Sequence, residues 1–269
     1  MERAMPGRKD RSMKKLLSLA LALVLLLGCA AFGEADMEYV VKKGTLVVGI
    51  TDFAPMDYRD ENGEWIGFDA DLARAFAEYL GVQIEFIEIE WDNKVLELNG
   101  KTIDCVWNGM TLTDEVMSAM ETSNAYLNNA QVVVLPVDKI EQYADVQSLS
   151  ALTFAVEAGS AGEKEIDALG YSKTPVTSQA DALLEVAAST SDAAVIDALM
   201  AAAMVGEGTS YANLGYSFGL NSEVYGVGFR KGSDLAGMLN FYLARAYAQG
   251  LLTELAEKYG VPAALIAQE

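Results

Sequence analysis

Short β-branched runs alternate with amphipathic helical stretches along most of this 269-residue chain. The run Thr45–Ile50 (TLVVGI) predicts a buried strand, and a helix that begins near Asp69 is predicted to end at Gly81. Further strands are predicted at residues 82–89 and 103–107. Strand–helix–strand units of this length predict an α/β fold with parallel strands and right-handed crossovers. Ligands of such sheets bind beyond the carboxyl ends of the strands.

Two longer apolar strands, at residues 131–137 (QVVVLPV) and 223–230 (EVYGVGFR), interrupt this pattern. A second α/β unit lies between them, with a strand at 152–156 and a helix from Ser160. We therefore predict two lobes joined by two chain crossings. The first lobe would comprise residues 39–135 and 223–269, and the second lobe residues 136–222.

The first 28 residues have the features of a secretory signal. A basic opening is followed by an apolar run at 16–27, which is shorter than the roughly 20 residues that span a bilayer. Residues 26–29 (Leu-Leu-Gly-Cys) resemble a bacterial lipobox, in which the cysteine is lipidated and becomes the new N-terminus. We therefore predict that Cys29 carries lipid, that residues 29–38 form a tether, and that the protein is secreted and anchored to the outer face of the cell membrane, or periplasmic.

Ordinary cleavage after Ala30 or Ala31 is the alternative to lipidation.

The chain has 19 Lys/Arg, 39 Asp/Glu and no His, and the net charge is −24 once the first 28 residues, which carry +4, are removed. Because binding to nucleic acid depends on Lys/Arg, this acidic chain is not predicted to bind it. Without histidine, His-based triads and His-ligated metal sites are excluded, and we predict no metal and no cofactor. Cys105 lies in an apolar segment and is predicted to be a buried, inert thiol.

An ordered set of short motifs extends over nearly the whole chain after the signal. In chain order these are LVVG at 46–49, FAPM at 53–56, GFD at 67–69, WD at 91–92, NGMTLT at 108–113, VEAGS at 156–160, DAAVID at 192–197 and GVG at 226–228. In this set the sequence resembles the polar amino-acid-binding proteins of ABC importers, solute-binding family 3. The resemblance implies a type II periplasmic-binding-protein-like clamp, in which two α/β lobes joined by two hinge strands trap a ligand between them.

The resemblance also implies a function. The chain would be a monomer that captures a small polar solute and delivers it to a membrane permease, without catalysis. One alternative is an enzyme on the same scaffold, such as a dehydratase acting on a cyclic carboxylate, for which Glu157 and Asp197 would be the acid/base candidates. Another is a sensory ectodomain, which would continue into a membrane span, whereas this sequence ends in polar residues.

Ten residues at motif positions are candidates for ligand binding, and the resemblance implies a role for each. These are Phe53, Trp91, Asn108, Gly109, Thr111, Glu157, Gly159, Ser160, Ala161 and Asp197. Phe53 and Trp91 would form an aromatic clamp, although aromatic residues are more often core residues. Asp197 would hold the ligand's ammonium group, and the alternative is a helix N-cap.

The remaining candidates lie in turns and at the start of a helix. The turn at 108–111 would offer backbone and hydroxyl groups. Its alternative is a plain strand-to-helix connection, in which Thr111 or Thr113 only caps the helix that opens at Thr113. Free amides at 159–161 would bind a carboxylate at the start of a helix, but Ser160 and Glu163 also form a capping-box pattern that would occupy those amides.

Two positions depart from the family pattern. Val116 stands where the family has an arginine that binds the ligand's carboxylate, and Glu157 adds an expected anion. The ligand is therefore expected to be a neutral or cationic amino acid, or an amine without a carboxylate, rather than glutamate or aspartate. Lys94 is a candidate replacement for the missing cation, and its alternative is an exposed, salt-bridged lysine.

Overall fold

The computed structural model describes residues 35–269, which form two α/β lobes. The first lobe begins with α1 (Asp36–Lys43), β1 (Thr45–Ile50), β2 (Tyr58–Arg59), β3 (Trp65–Ile66), α2 (Phe68–Leu80), β4 (Gln83–Glu88), α3 (Lys94–Asn99), β5 (Cys105–Thr111), α4 (Asp114–Ala119), β6 (Glu121–Thr122) and β7 (Leu127–Asn129). The second lobe contains β8 (Gln131–Pro136), β9 (Thr153–Glu157), α5 (Ala161–Leu169), β10 (Ser172–Val176), α6 (Gln179–Ala187), β11 (Ala193–Asp197), α7 (Ala198–Met204) and β12 (Leu214–Gly219). The chain then returns to the first lobe as β13 (Glu223–Phe229), α8 (Leu235–Ala248) and α9 (Leu251–Lys258).

Each lobe is built on its own mixed sheet. The first sheet has the order β4-β1-β5-β13-β6, and β7 also pairs with β13. The second has the order β10-β9-β11-β8-β12. The prediction of parallel strands is right for β4-β1-β5 and for β10-β9-β11, but β13 and β8 run antiparallel to their neighbours. These two strands are the ones by which the chain enters a lobe from the other lobe, so no crossover helix precedes them.

The two crossings lie beside the long strands rather than within them. Between β7 and β8 the chain crosses at Ala130, and between β12 and β13 it crosses at residues 220–222. The predicted boundary at residue 136 is therefore wrong for residues 131–135, since β8 pairs with β11 and β12 of the second sheet. From the strand pairing we infer lobes of residues 35–129 with 223–269, and of residues 131–219.

Local capping signals fix several helix ends where the sequence predicted them. Gly81 ends α2 in the left-handed conformation, with φ 73°. Thr113 and Ser160 cap α4 and α5, since each side chain accepts a hydrogen bond from the amide three residues later. Cys105 is fully buried, and burial raises the pKa of its thiol well above the usual value, in line with the predicted inert thiol.

The predicted tether at 29–38 ends too late. Residues 36–38 form the first turn of α1, and Asp36 is fixed by an ion pair with Arg230 at 3.0 Å. The predicted signal and the lipid site at Cys29 lie outside the described residues. Among residues 35–269, no helix combines the length and the apolar character needed to cross a membrane.

Candidate functional site

A cleft between the lobes collects most of the predicted site residues. It encloses about 400 Å³ of space free of protein atoms, including its mouth. Its walls contain nine of the ten candidates, namely Trp91, Asn108, Gly109, Thr111, Glu157, Gly159, Ser160, Ala161 and Asp197, together with Lys94, Met110, Thr113, Val116, Lys164 and Gln179. Most of the polar side chains lie in the carboxyl-terminal parts of β5, β9 and β11 or directly after them, as expected for a ligand site of an α/β sheet.

Phe53 is the candidate that does not line this cleft. Its ring is 2% exposed and packs edge-on against Tyr225, with ring centroids 6.3 Å apart. A side chain at Gly109 would overlap the Phe53 ring, which therefore lies directly behind the cleft wall. In this structure Phe53 therefore packs as a core residue.

The second half of β5, where its pairing with β13 is irregular, is held by buried side chains. The turn predicted at residues 108–111 is therefore wrong, because these residues belong to the strand. Asn108 is bonded to Thr51, whose amide donates to Oδ1 at 2.9 Å and whose hydroxyl accepts from Nδ2 at 2.8 Å. Gly109 has φ 53°, and its amide donates to Asp69 Oδ2 at 2.6 Å. Burial raises the pKa of Asp69 to about 6, and Tyr126 donates a second hydrogen bond to the same oxygen at 2.8 Å. The β5 backbone at Gly109 is thus positioned from behind by the Asp of the Gly-Phe-Asp motif.

Lys94 is buried in the cleft, which contradicts the exposed, salt-bridged alternative. Lys94 is only 8% exposed, and its Nζ lies 4.8 Å from the centre of the Trp91 ring. Nζ donates to the carbonyl oxygen of Trp91 at 3.1 Å and, across the cleft, to that of Gly159 at 3.0 Å. Burial lowers the pKa of Lys94 to about 8, so the side chain remains mostly cationic at neutral pH.

Glu157 is 3% exposed at the end of β9, and its Oε1 has no hydrogen-bond partner. Burial raises the pKa of this carboxyl to about 8, against the opposing effects of Lys94, Thr51 and Gln179. The sequence predicted an anion at this position, but in the empty cleft the carboxyl is mostly protonated at pH 7.

The start of α5 adopts the capping-box arrangement. Ser160 Oγ accepts from the Glu163 amide at 3.0 Å, and Glu163 Oε2 accepts from the Gly159 amide at 2.7 Å. The Ser160 amide donates to the Glu157 carbonyl oxygen at 3.1 Å, so two of the amides proposed for a ligand, those of Gly159 and Ser160, are used within the chain. Ala161, the first helical residue, lies on the cleft wall.

Asp197 joins the cleft to the hinge. Its Oδ1 accepts from Asn129, from Gln131 at 3.0 Å and from the Tyr225 hydroxyl at 2.7 Å, and its Oδ2 accepts from Gln179. Asp197 occupies the predicted N-cap position of α7, but its side chain makes no capping bond to that helix. Burial and the neighbouring Glu223 raise the pKa of Asp197 well above its usual value.

Glu223 completes this network at the second crossing. Its Oε1 accepts from Thr111 at 2.9 Å, from Asn129 at 2.6 Å and from Gln131 at 2.8 Å. The network therefore links both crossings and both lobes. The sequence analysis did not identify Gln179, Asn129, Gln131 or Glu223. Asn129, Gln131 and Glu223 lie next to the predicted crossings, and Gln179 directly follows a helix-capping serine. These positions are the only local signals of a role in the site.

Comparisons with known proteins identify the family to which this two-lobed protein belongs. The family model for bacterial extracellular solute-binding proteins, family 3, matches residues 46–262. The arginine-binding extracellular protein ArtP of Bacillus subtilis is 28% identical, over 92% of this chain and 98% of its own length. The crystal structure of a mutant of ArgBP from T. maritima superposes with a TM-score of 0.77 at 30% identity, covering 84% of this chain and 99% of that one.

A further solved structure, of the ancestral amino acid-binding protein AncCDT-1, described as a precursor of cyclohexadienyl dehydratase, gives a TM-score of 0.76 at 29% identity, over 84% of this chain and 99% of that one. The fold and the cleft define a two-lobed solute-binding clamp. The chain belongs to the bacterial extracellular solute-binding proteins, family 3. The relatives described here are binding proteins rather than enzymes.

Proposed function

We propose that this protein is the substrate-binding component of an ABC importer. It captures an amino acid between its lobes and hands it to a membrane permease. A neutral or cationic amino acid is favoured over a dicarboxylic one. L-Arginine is the first candidate, because ArtP is described as arginine-binding and a structure of ArgBP from T. maritima is described as arginine-bound.

The observation that carries this proposal is the composition of the cleft. Both lobes contribute polar groups, and Glu157 offers an unpartnered oxygen in the same cleft as the Trp91 and Lys94 side chains. A closed cleft of this kind is stabilised when a ligand contacts both lobes at once. An aromatic face with a nearby carboxyl suits the apolar stem and the cationic end of a basic amino acid.

A thermal-shift screen over the proteinogenic amino acids and their decarboxylated amines tests the proposed function. A ligand that binds only the folded protein raises the free energy of unfolding by mass action, by about 2.7 kcal/mol when its concentration is 100 times its Kd. The melting temperature rises as a result. We expect L-arginine or another neutral or basic amino acid to give a positive shift, and glutamate and aspartate to give none. A screen in which no amino acid shifts the melting temperature contradicts the proposal.

We further propose that Cys29 is the lipidated N-terminus of the mature protein. The basis is the Leu-Leu-Gly-Cys sequence at the end of the apolar run. Cys29→Ala is expected to move the protein from the membrane fraction to the soluble extracellular or periplasmic fraction, as measured by fractionation and immunoblotting. Cys105→Ala, which removes the buried thiol, is the matched control and should leave the protein at the membrane. Unchanged membrane association of Cys29→Ala contradicts the lipid anchor.

A further inference from the structure

The ammonium group of Lys94 lacks a counter-ion. Its two hydrogen bonds are accepted by the main-chain carbonyls of Trp91 and Gly159, which carry no formal charge. Within the described part of the chain, no carboxylate oxygen lies within ion-pair distance of Nζ. A buried charge without an opposite charge is costly. The empty cleft therefore holds a cation that an incoming anionic group would stabilise.

The surroundings of Lys94 add to this preference for an anion. Its partner Gly159 immediately precedes Ser160, the N-cap of the nine-residue helix α5. The N-terminal end of a helix carries a partial positive charge and favours carboxylates. Lys164, on the same helix, also lines the cleft, although its ammonium is paired with Glu115.

A second group, the Glu157 carboxyl, is suited to the cationic part of a ligand. Glu157 supplies a buried carboxyl with an unpartnered oxygen, and it interacts with Lys94 only at longer range. Val116, which lines the same cleft, is 6% exposed and offers only apolar atoms. The cleft thus presents a cation and a potential anion to one small ligand.

We infer that Lys94 is the carboxylate-binding residue of this cleft, and that with the N-terminal end of α5 it selects ligands that carry a carboxylate. The inference rests on the proposed function and narrows the substrate class to amino acids, as opposed to amines that lack a carboxylate. The ammonium would exchange its bond to one main-chain carbonyl for a charge-assisted hydrogen bond to the ligand.

The test compares two ligands that differ only in the carboxylate. L-Arginine and agmatine, its decarboxylated form, are titrated calorimetrically into the wild type and into Lys94→Met. We expect the wild type to prefer L-arginine by roughly 30-fold or more, the size expected for a desolvated charge pair. Lys94→Met should lose most of that preference, through weaker binding of L-arginine and with agmatine affinity changed by less than about threefold. If the screen selects histidine, L-histidine and histamine form the pair.

Two further variants keep the test interpretable. Lys139→Met removes an exposed lysine of the second lobe that does not line the cleft, so the preference should remain. Lys94→Gln keeps a donor for the carbonyls of Trp91 and Gly159 while removing the charge, and it should behave as Lys94→Met does. It replaces Lys94→Met if that variant fails to fold.

Each other outcome overturns the inference in a recognisable way. An unchanged preference in Lys94→Met and Lys94→Gln places the carboxylate elsewhere. Tighter binding of both ligands by these variants shows that Lys94 competes with the ligand for the cleft. Equal binding of L-arginine and agmatine by the wild type overturns the inference but leaves solute binding intact. If the wild type binds no amino acid in the screen, the proposed function fails together with the inference.

Discussion

Glu157→Gln is expected to weaken the binding of a basic amino acid by roughly 2–5 kcal/mol, at least about 30-fold in Kd. The carboxyl is buried at the end of β9 and has an unpartnered oxygen in the cleft. A ligand cation would pair with it, whereas glutamine offers only a neutral acceptor. Isothermal titration with L-arginine measures the change. Equal affinity in the two proteins, or a dicarboxylic ligand from the screen, contradicts the role assigned to Glu157.

The pH dependence of binding provides an independent check. Because the pKa of Glu157 is about 8 in the empty cleft, the carboxyl must lose a proton to pair with a cation below that pH. Wild-type affinity for L-arginine should therefore increase from pH 6 towards pH 8, and this increase should be absent in Glu157→Gln.

The stability of the ligand-free variant shows whether it is folded. The pKa of Glu157 is raised from 4.5 to about 8, so the folded state loses stability relative to the unfolded state as pH rises through that range. Glutamine cannot ionise. Ligand-free Glu157→Gln should thus melt above the wild type, by more at pH 8 than at pH 5.

Gly109→Ala is expected to destabilise the protein by about 3 kcal/mol or more and to abolish tight ligand binding. The backbone at Gly109 has φ 53°, and an added Cβ would overlap the Phe53 ring and approach Tyr225 to 3.1 Å. Both rings are fully packed, so the β5 backbone at Gly109 has to move away from Asp69. Urea unfolding measures the loss of stability, and titration with L-arginine measures the loss of binding.

Gly63→Ala is the matched control for this substitution. Gly63 has φ 82° and no atom within 4 Å of an added Cβ, so alanine there costs only the left-handed conformation, roughly 1–2 kcal/mol. The difference between the two variants isolates the steric overlap behind the cleft. Similar losses of stability in the two variants contradict the packing argument.

Local signals made much of the fold predictable. The β-branched run at 45–50 and the capping residues Gly81, Thr113 and Ser160 act over a few neighbours, and the structure confirms each of them. Strand β10 was not predicted, because it is a short edge strand that contains Pro175 and is largely exposed. The start of the second lobe was misplaced by five residues, because the sequence of β8 does not reveal which sheet it joins.

The site was less predictable, because its contacts join distant segments. Lys94 resembles a solvent-facing helix residue in sequence, and the sequence does not reveal its contact with Gly159, 65 residues later, in the other lobe. Asp197 was predicted as a ligand group, but its four donors come from separate segments of both lobes. Such networks depend on tertiary structure, and no local pattern encodes them.

Gly159 meets the first lobe directly. A Cβ at this position would lie 2.7 Å from the Cα atom of Asp92, so main chain already touches main chain across the mouth of the cleft. This contact acts as a mechanical stop, because the lobes cannot approach further whatever the ligand. The closest separation of the lobes is then set by the backbone, and the side chains that line the cleft divide the space that remains. A solute too large for that space would hold the clamp open and compete with the ligand for binding.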